Sequence, residues 1–395
     1  MDESHFQLDF SNTQIAFANK SDEELKKTAW LFGMMNKPWL VRFGSKLGLI
    51  ALNLRLPFVT PIIKATIFRQ FCGGTTLLGC QQLIDKLWHF NTLTVLDYGA
   101  EGKETEKDFN HTMTETMRAI DFAASNTSVP VVSTKITGLA RLGLLEKLDR
   151  KEALSPSEEN EYENVLKRID SICHHGMDQG VGVFIDAEET WIQDSIDDIV
   201  NKMMARYNRK KVIVYNTFQM YRHDRLAYLK QSFEVANAGD YLLGAKLVRG
   251  AYMEKEAARA RDMGYPNPIH SSKQACDDDF DDAVRFVVEH YERIGSCCAT
   301  HNAKSTYLQA QLIHEKGIPH DHAHLNFSQL FGMSDNLTFN LAKAGYNVAK
   351  YLPFGPVRDV VPYLIRRAQE NTAVSGDMSR EYGMIMEEMG RRGIK

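Results

Sequence analysis

Eight short apolar runs, each followed by a polar stretch of helical length, constrain this chain more than any other feature. They are "LTVLDYG" (93–99), "VPVVSTKIT" (129–137), "GVGVFIDA" (180–187), "VIVYNTFQ" (212–219), "GAKLVRGAY" (244–252), "SCCATHN" (296–302), "HAHLNFSQLFG" (322–332) and "NVAKYLPFG" (347–355). Near-continuous apolar runs alternating with helices mark strands buried on both faces, as in a parallel sheet. Eight such units predict an α/β fold, a distorted (β/α)8 barrel. The span 91–395 accommodates it, with an insertion near 138–158. There "SPSE" (Ser155 to Glu158) sets Ser at N-cap, Pro at N1 and Glu at N3, a helix start.

Residues 1–90 carry no strand alternation and read as a helical arm before the barrel. "SDEE" (Ser21 to Glu24) is a capping box, and "CGG" (Cys72 to Gly74) breaks two helical patterns. The most apolar region, "LGLIALNLRLPFVTPII", is interrupted by Asn53, Arg55, Pro57 and Pro61. A spanning helix needs ~20 mostly apolar residues, so a helical layer is favoured over a membrane span or a peripheral lipid contact. The net charge of −4 argues against a broad nucleic-acid surface. Six cysteines without a CxxC spacing fit a reducing compartment rather than a disulfide framework or a zinc site. "CHH" at Cys173 to His175 falls in a helical stretch whose adjacent residues face different ways, so no metal is expected. "GVG" before Phe184 is too short for a dinucleotide fingerprint. The acidic opening "MDESHFQLDF" resembles neither a signal nor a transit peptide.

Barrel active sites lie at the C-terminal ends of the strands. Those ends supply Asp97 and Glu101, Lys135, Asp186, Gln219, Lys246 and Arg249, Thr300 and His301, then Tyr351. Each has a plain alternative: a strand-end Lys is usually solvated, and Asp186 can equally serve the helix start that follows it. Their convergence at nearly every strand end points to an enzyme. "YLIRRAQEN" (363–371) adds a helical stripe of Tyr363, Arg366, Arg367 and Glu370 at i, i+3, i+4 and i+7, the spacing of an inward face. Paired guanidiniums suit a planar anion. A carboxylate is favoured over phosphate, which barrels usually hold with Gly-rich loops and backbone N–H groups.

Six motifs in order, "FIDAEE", "AKLVRGAY", "ATHN", "LFGM", "YLPFG" and "YLIRRAQEN", resemble the proline dehydrogenase family of flavoenzymes over roughly residues 93–380. The resemblance implies FAD-dependent oxidation of L-proline to Δ1-pyrroline-5-carboxylate, by hydride transfer to flavin N5. It implies electron transfer to a membrane quinone and a first step of proline catabolism. Arg366 and Arg367 would clamp the substrate carboxylate together with Lys135. Leu330, Tyr351 and Tyr363 would surround the ring, and Glu101 would gate the site. Asp186, Lys246 and Lys135 would serve catalysis. Ala187, Gln219, Lys246, Arg249, Gly250, Ala251, Thr300, His301 and Glu370 would hold FAD. Met253 stands where bifunctional relatives place a Trp under the adenine. Hydroxyproline-preferring relatives carry a smaller residue at the position of Tyr351, so proline is the expected substrate. The unprocessed-looking N-terminus favours a bacterial protein, so the expected location is cytoplasmic, peripheral on the inner face of the cytoplasmic membrane. Two rival readings are a Schiff-base aldolase using Lys135 or Lys246 and a non-catalytic amino-acid or carboxylate sensor.

Overall fold

The computed structural model describes residues 6–37, 59–361, 363–364 and 377–394. Eight strands, β1 (Leu93–Tyr98), β2 (Val131–Lys135), β3 (Gly182–Asp186), β4 (Val214–Gln219), β5 (Leu243–Val248), β6 (Ile294–Ala299), β7 (Leu325–Leu330) and β8 (Val348–Phe354), close into one barrel in sequence order. The pairings from β1 through β7 are parallel. The (β/α)8 expectation holds. Strands β3 and β4 are buried along their whole length, because a parallel sheet covered on both faces leaves no side for water. The inserted helix Pro156–Gln179 starts on the expected capping box at Ser155 and Glu158, with Pro156 in its first turn, and ends on Gly180 at φ 70°. Cys173 and His174 lie within it.

By internal packing the chain divides into two compact units. One is Val95–Ser328; the other joins 1–94 to 329–395. In the first, each crossover helix presents an apolar stripe to the sheet. Ala119, Ile120 and Ala123 do so from the helix Glu106–Ala124, and Ile192, Ile196, Ile199 and Val200 from Thr190–Tyr207. Asp197 and Arg225 form a buried ion pair at 2.5 Å. Asn216 and Gln193 also donate to Asp197, so the carboxylate is satisfied on both oxygens.

The second unit has its own apolar cluster. Phe17, Leu25 and Phe32 from the N-terminal helices share it with Val360, Leu364, Ile385 and Met389. The capping box expected at Ser21 and Glu24 is present. Lys350 on β8 is fully buried and bonds the carboxylate of Asp335 at 2.8 Å and the carbonyl of Met333 at 2.6 Å. Lys20 reaches the other oxygen of Asp335 at 3.1 Å. The backbone turns at Gly332 (φ 82°), where a Cβ would sit 2.1 Å from the Gln70 carbonyl oxygen. Only glycine fits that approach.

Candidate active site

Asp186 is the last residue of β3 and pairs in register with Lys135, the last of β2. Neighbouring parallel strands in register point paired residues to the same side, so the two side chains meet. Lys135 Nζ donates to Asp186 Oδ2 at 2.8 Å, and Lys246 Nζ donates to Oδ1 at 2.6 Å. Ser133, two residues before Lys135 and hence on the same face of β2, donates to Oδ1 at 2.9 Å. Lys135 also lies 4.0 Å from Asp97 of β1, and Lys246 sits 5.3 Å above the centre of the Phe184 ring. Four strands thus deliver two carboxylates and two ammonium groups to one buried locus. Burial alone would raise the Asp186 carboxyl. The two lysines, charged and hydrogen-bonded to it, outweigh that and hold it well below the usual carboxylate range.

The loops that continue β2 and β3 are tied in the same order. Thr137 N–H donates to Glu188 Oε1 at 3.0 Å and Thr137 Oγ1 donates to Oε2. Burial pushes the Glu188 carboxyl up to about 7, against the Thr137 hydroxyl bond, with the Glu189 charge adding to the rise. Gln193 accepts the Glu188 N–H at 2.8 Å.

A second group of expected residues converges at the ends of β5 and β6. The Arg249 guanidinium donates to Asp277 at 2.7 Å, to Thr300 Oγ1 at 2.6 Å and to Ser305 Oγ at 2.9 Å. It also lies 4.2 Å from the Phe280 ring centre. Ser305 in turn donates to Asp281, and Asn302 caps the helix Ala303–Glu315. Gly250 has φ 129°, and a Cβ there would lie 2.5 Å from the Tyr221 ring. Only glycine fits against that ring. Gln219, at the end of β4, is buried, and its side-chain carbonyl oxygen has no hydrogen-bond partner among the described residues.

Lys135, Asp186 and Lys246 form one cluster, and Arg249 and Thr300 meet directly. Ala187 is buried beside Asp186, while Ala251, His301 and Glu101 sit half-buried in the strand-end loops. Leu330, Tyr351 and Tyr363 belong to the second unit. Tyr351 is buried on β8, its carbonyl accepting from Phe331 N–H at 2.9 Å next to Leu330. Tyr363 is part of the apolar cluster. Arg366, Arg367 and Glu370 lie outside the described residues. Sequence reasoning missed Ser133, Thr137, Glu188, Asp277 and Ser305. The i, i+2 alternation along β2 carried the signal for Ser133. Nothing local marked the others, whose partners come from distant loops.

A (β/α)8 enzyme with an ion-paired lysine–carboxylate–lysine cluster at its strand ends is the class that fold and site define. The chain matches the proline dehydrogenase family over residues 80–380. A mitochondrial proline dehydrogenase 1 of Drosophila melanogaster is 36% identical over 249 residues, covering 60% of this chain and 37% of that protein. The Dictyostelium discoideum protein of the same name is 30% identical, covering 98% of this chain and 75% of that one. The crystal structure of proline utilization A from Bdellovibrio bacteriovorus superposes with a TM-score of 0.73 at 20% identity, over 91% of this chain and 41% of that one. This chain belongs to the proline dehydrogenase family.

The expected bacterial location is overturned. Relatives from fly and slime mould carry mitochondrial names, as do those from plant and human. That expectation stood on an acidic first decapeptide, too little sequence to report a compartment. Among the described residues no helix is long and apolar enough to cross a membrane.

Proposed function

We propose that the chain oxidises L-proline to Δ1-pyrroline-5-carboxylate with FAD as its cofactor and a membrane quinone as electron acceptor. The observation that carries this reading is the Asp186 carboxylate held between Lys135 and Lys246 in a chain of this family. Two features fit a flavin dinucleotide. Gln219 offers a buried, unpartnered side-chain carbonyl to a ring N–H, and Arg249, fixed by Thr300 and Ser305 at the strand ends, supplies a cation for the dinucleotide. When bound, FAD would take up the hydride from proline C5. The protein's part is to position the substrate and to place Lys246 where negative charge develops. Lys135 would bind the substrate carboxylate together with Arg366 and Arg367. Asp186 orients both lysines, and residues 1–90 form the helical arm of the catalytic region 91–395.

Both lysines are engaged as donors to one carboxylate. A Schiff-base lysine must instead offer a free amine lone pair, so the aldolase reading is disfavoured. Proline added anaerobically to the purified protein tests the proposal. The expected outcome is loss of the yellow flavin absorbance, restored by a soluble quinone. A colourless protein, or binding without bleaching, sinks it. Arg366→Met and Arg367→Met should each raise KM for proline by about 10-fold or more with flavin retained, the loss of one charge-assisted bond. A double mutant with wild-type KM would remove the clamp.

Substrate choice falls to Tyr351. A phenol at this buried position of β8 closes the space that a ring hydroxyl needs and gives apolar contact to the plain ring. Steric exclusion of one hydroxyl discriminates by on the order of 10²-fold. Tyr351→Ser should narrow the preference for proline over 4-hydroxyproline, mainly through lost activity on proline. Comparing kcat/KM for the two substrates in both proteins decides it, and an unmoved ratio would exclude Tyr351.

A further inference from the structure

The loop after β1 rests on the turn that follows β2. Lys103 N–H donates to the Thr137 carbonyl at 3.0 Å, and Gly102 N–H points at Thr137 Oγ1 at 3.4 Å. A Cβ on Gly138 would meet the Ala100 carbonyl oxygen at 2.7 Å, so loop and turn are in close contact along three residues. Thr137 has both of its donors committed to Glu188, on the loop after β3. Glu188 is buried and is held from behind through Gln193 and Asp197. Thr137 and Glu188 each stand two residues beyond a member of the Lys135–Asp186 pair.

We propose that Glu188 and Thr137 form a latch that fixes the β1 loop, and with it Glu101, against the Lys135–Asp186 pair, so that Glu188 is a positioning residue for substrate binding. The second half of this statement rests on the reading of the chain as a proline-oxidising enzyme. The Lys135 charge is felt at Glu188, while the hydrogen bonds of the Glu188 carboxylate run to Thr137. Its action runs through Thr137 to the loop. The carboxylate receives two donors from one residue, a bidentate grip that fixes the turn in direction as well as position. The contact spans three consecutive strand-end loops, and removing Glu188 leaves the Thr137 N–H and hydroxyl without their acceptor.

Two readouts test it on the full chain with flavin bound. Glu188→Ala should speed tryptic cleavage after the half-buried Lys103 by roughly 10-fold, because the loop opens locally more often. Cleavage after the exposed Lys151, on an unrelated turn, should stay unchanged. The same variant should raise KM for proline about 5-fold or more while kcat changes less than about twofold. Glu188→Gln keeps an acceptor for the Thr137 N–H and a partner for its hydroxyl, so it should restore both readouts. Should Glu188→Ala fail to fold, Gly138→Ala loosens the same contact from the other side, by pressing a methyl on the Ala100 carbonyl. Unchanged cleavage after Lys103 overturns the latch, as does equal acceleration after Lys151, which would report general loosening. Faster Lys103 cleavage with an unmoved KM overturns the role in substrate binding. The cleavage readout needs no turnover, so failure of the latch and failure of the proline reading are distinguishable.

Discussion

Asp186→Asn is expected to lower kcat/KM for proline by about 10²-fold or more and to destabilise the fold by ~3 kcal/mol, the cost of leaving buried charges uncompensated. The amide keeps the shape of the carboxylate but neutralises it. Lys135 and Lys246, both within hydrogen-bond distance of that one group, then lose the carboxylate they share, with Asp97 lying 4.0 Å from Lys135. Adding Lys135→Met to Asp186→Asn should recover part of the lost stability, because one of the two ammonium groups facing the neutral amide is removed. The two changes are therefore non-additive. The pH dependence has a definite sign. The folded carboxyl lies below its ordinary value of 3.8, so its stabilisation is present above that value and is lost as pH falls through the folded value. The stability gap between wild type and mutant should be full at neutral pH and shrink at strongly acidic pH. Denaturant titrations across pH measure it. An equal gap at every pH, or strict additivity in the double mutant, would show that the ion cluster is not what Asp186 supports.

Lys246→Met is expected to slow bleaching of the flavin by proline by on the order of 10²-fold, the range for removing one preorganised donor from a site of developing charge. It should also lower the flavin reduction potential, because a buried cation no longer favours the reduced, negatively charged form. Proline binding should change far less. The structure adds a condition to this expectation. Lys246 is ion-paired to Asp186 at 2.6 Å, so its ammonium is fixed in place. The mutant takes one of the two lysine charges from that carboxylate, whose same oxygen still accepts from Ser133, and Lys246→Arg should recover more activity than Lys246→Met. Anaerobic stopped-flow absorbance with a redox titration provides both readouts. A wild-type bleaching rate in Lys246→Met would take the residue out of the chemistry.

The barrel was legible because its strands are buried on both faces. Runs such as "GVFID" are apolar for a physical reason that survives in any one sequence. The capping boxes at Ser21 and Ser155 were equally legible, since all their parts lie within four residues. Strand-end polar residues were legible as candidates, and the Lys135–Asp186 pairing follows from register once β2 and β3 are neighbours. Glu188 was not. Its neighbour Glu189 is chemically identical, and only the fold shows that one carboxylate turns to Thr137 while the other pairs with Lys255. Asp277 sits among "DDDFDD", a run that reads as a solvated face, yet one oxygen of it holds Arg249. Long-range polar contacts of this kind leave no periodic trace.

The unit built from 1–94 and 329–395 has a consequence for how the chain is made. Leu25 and Phe32 leave the ribosome long before Ile385 and Met389, which share their cluster. Until then the apolar stripe of the helix Asp22–Met35 lacks the part of its cover that Val360, Leu364, Ile385 and Met389 supply. Residues 95–328 form a compact unit of their own and are synthesised before residue 329, so that unit can pack before the two segments of the other meet. Joining the two segments closes a very long loop, which costs entropy before its contacts repay it. During that interval the exposed helix is a natural client for a chaperone, and a translational pause before residue 329 would lengthen its exposure.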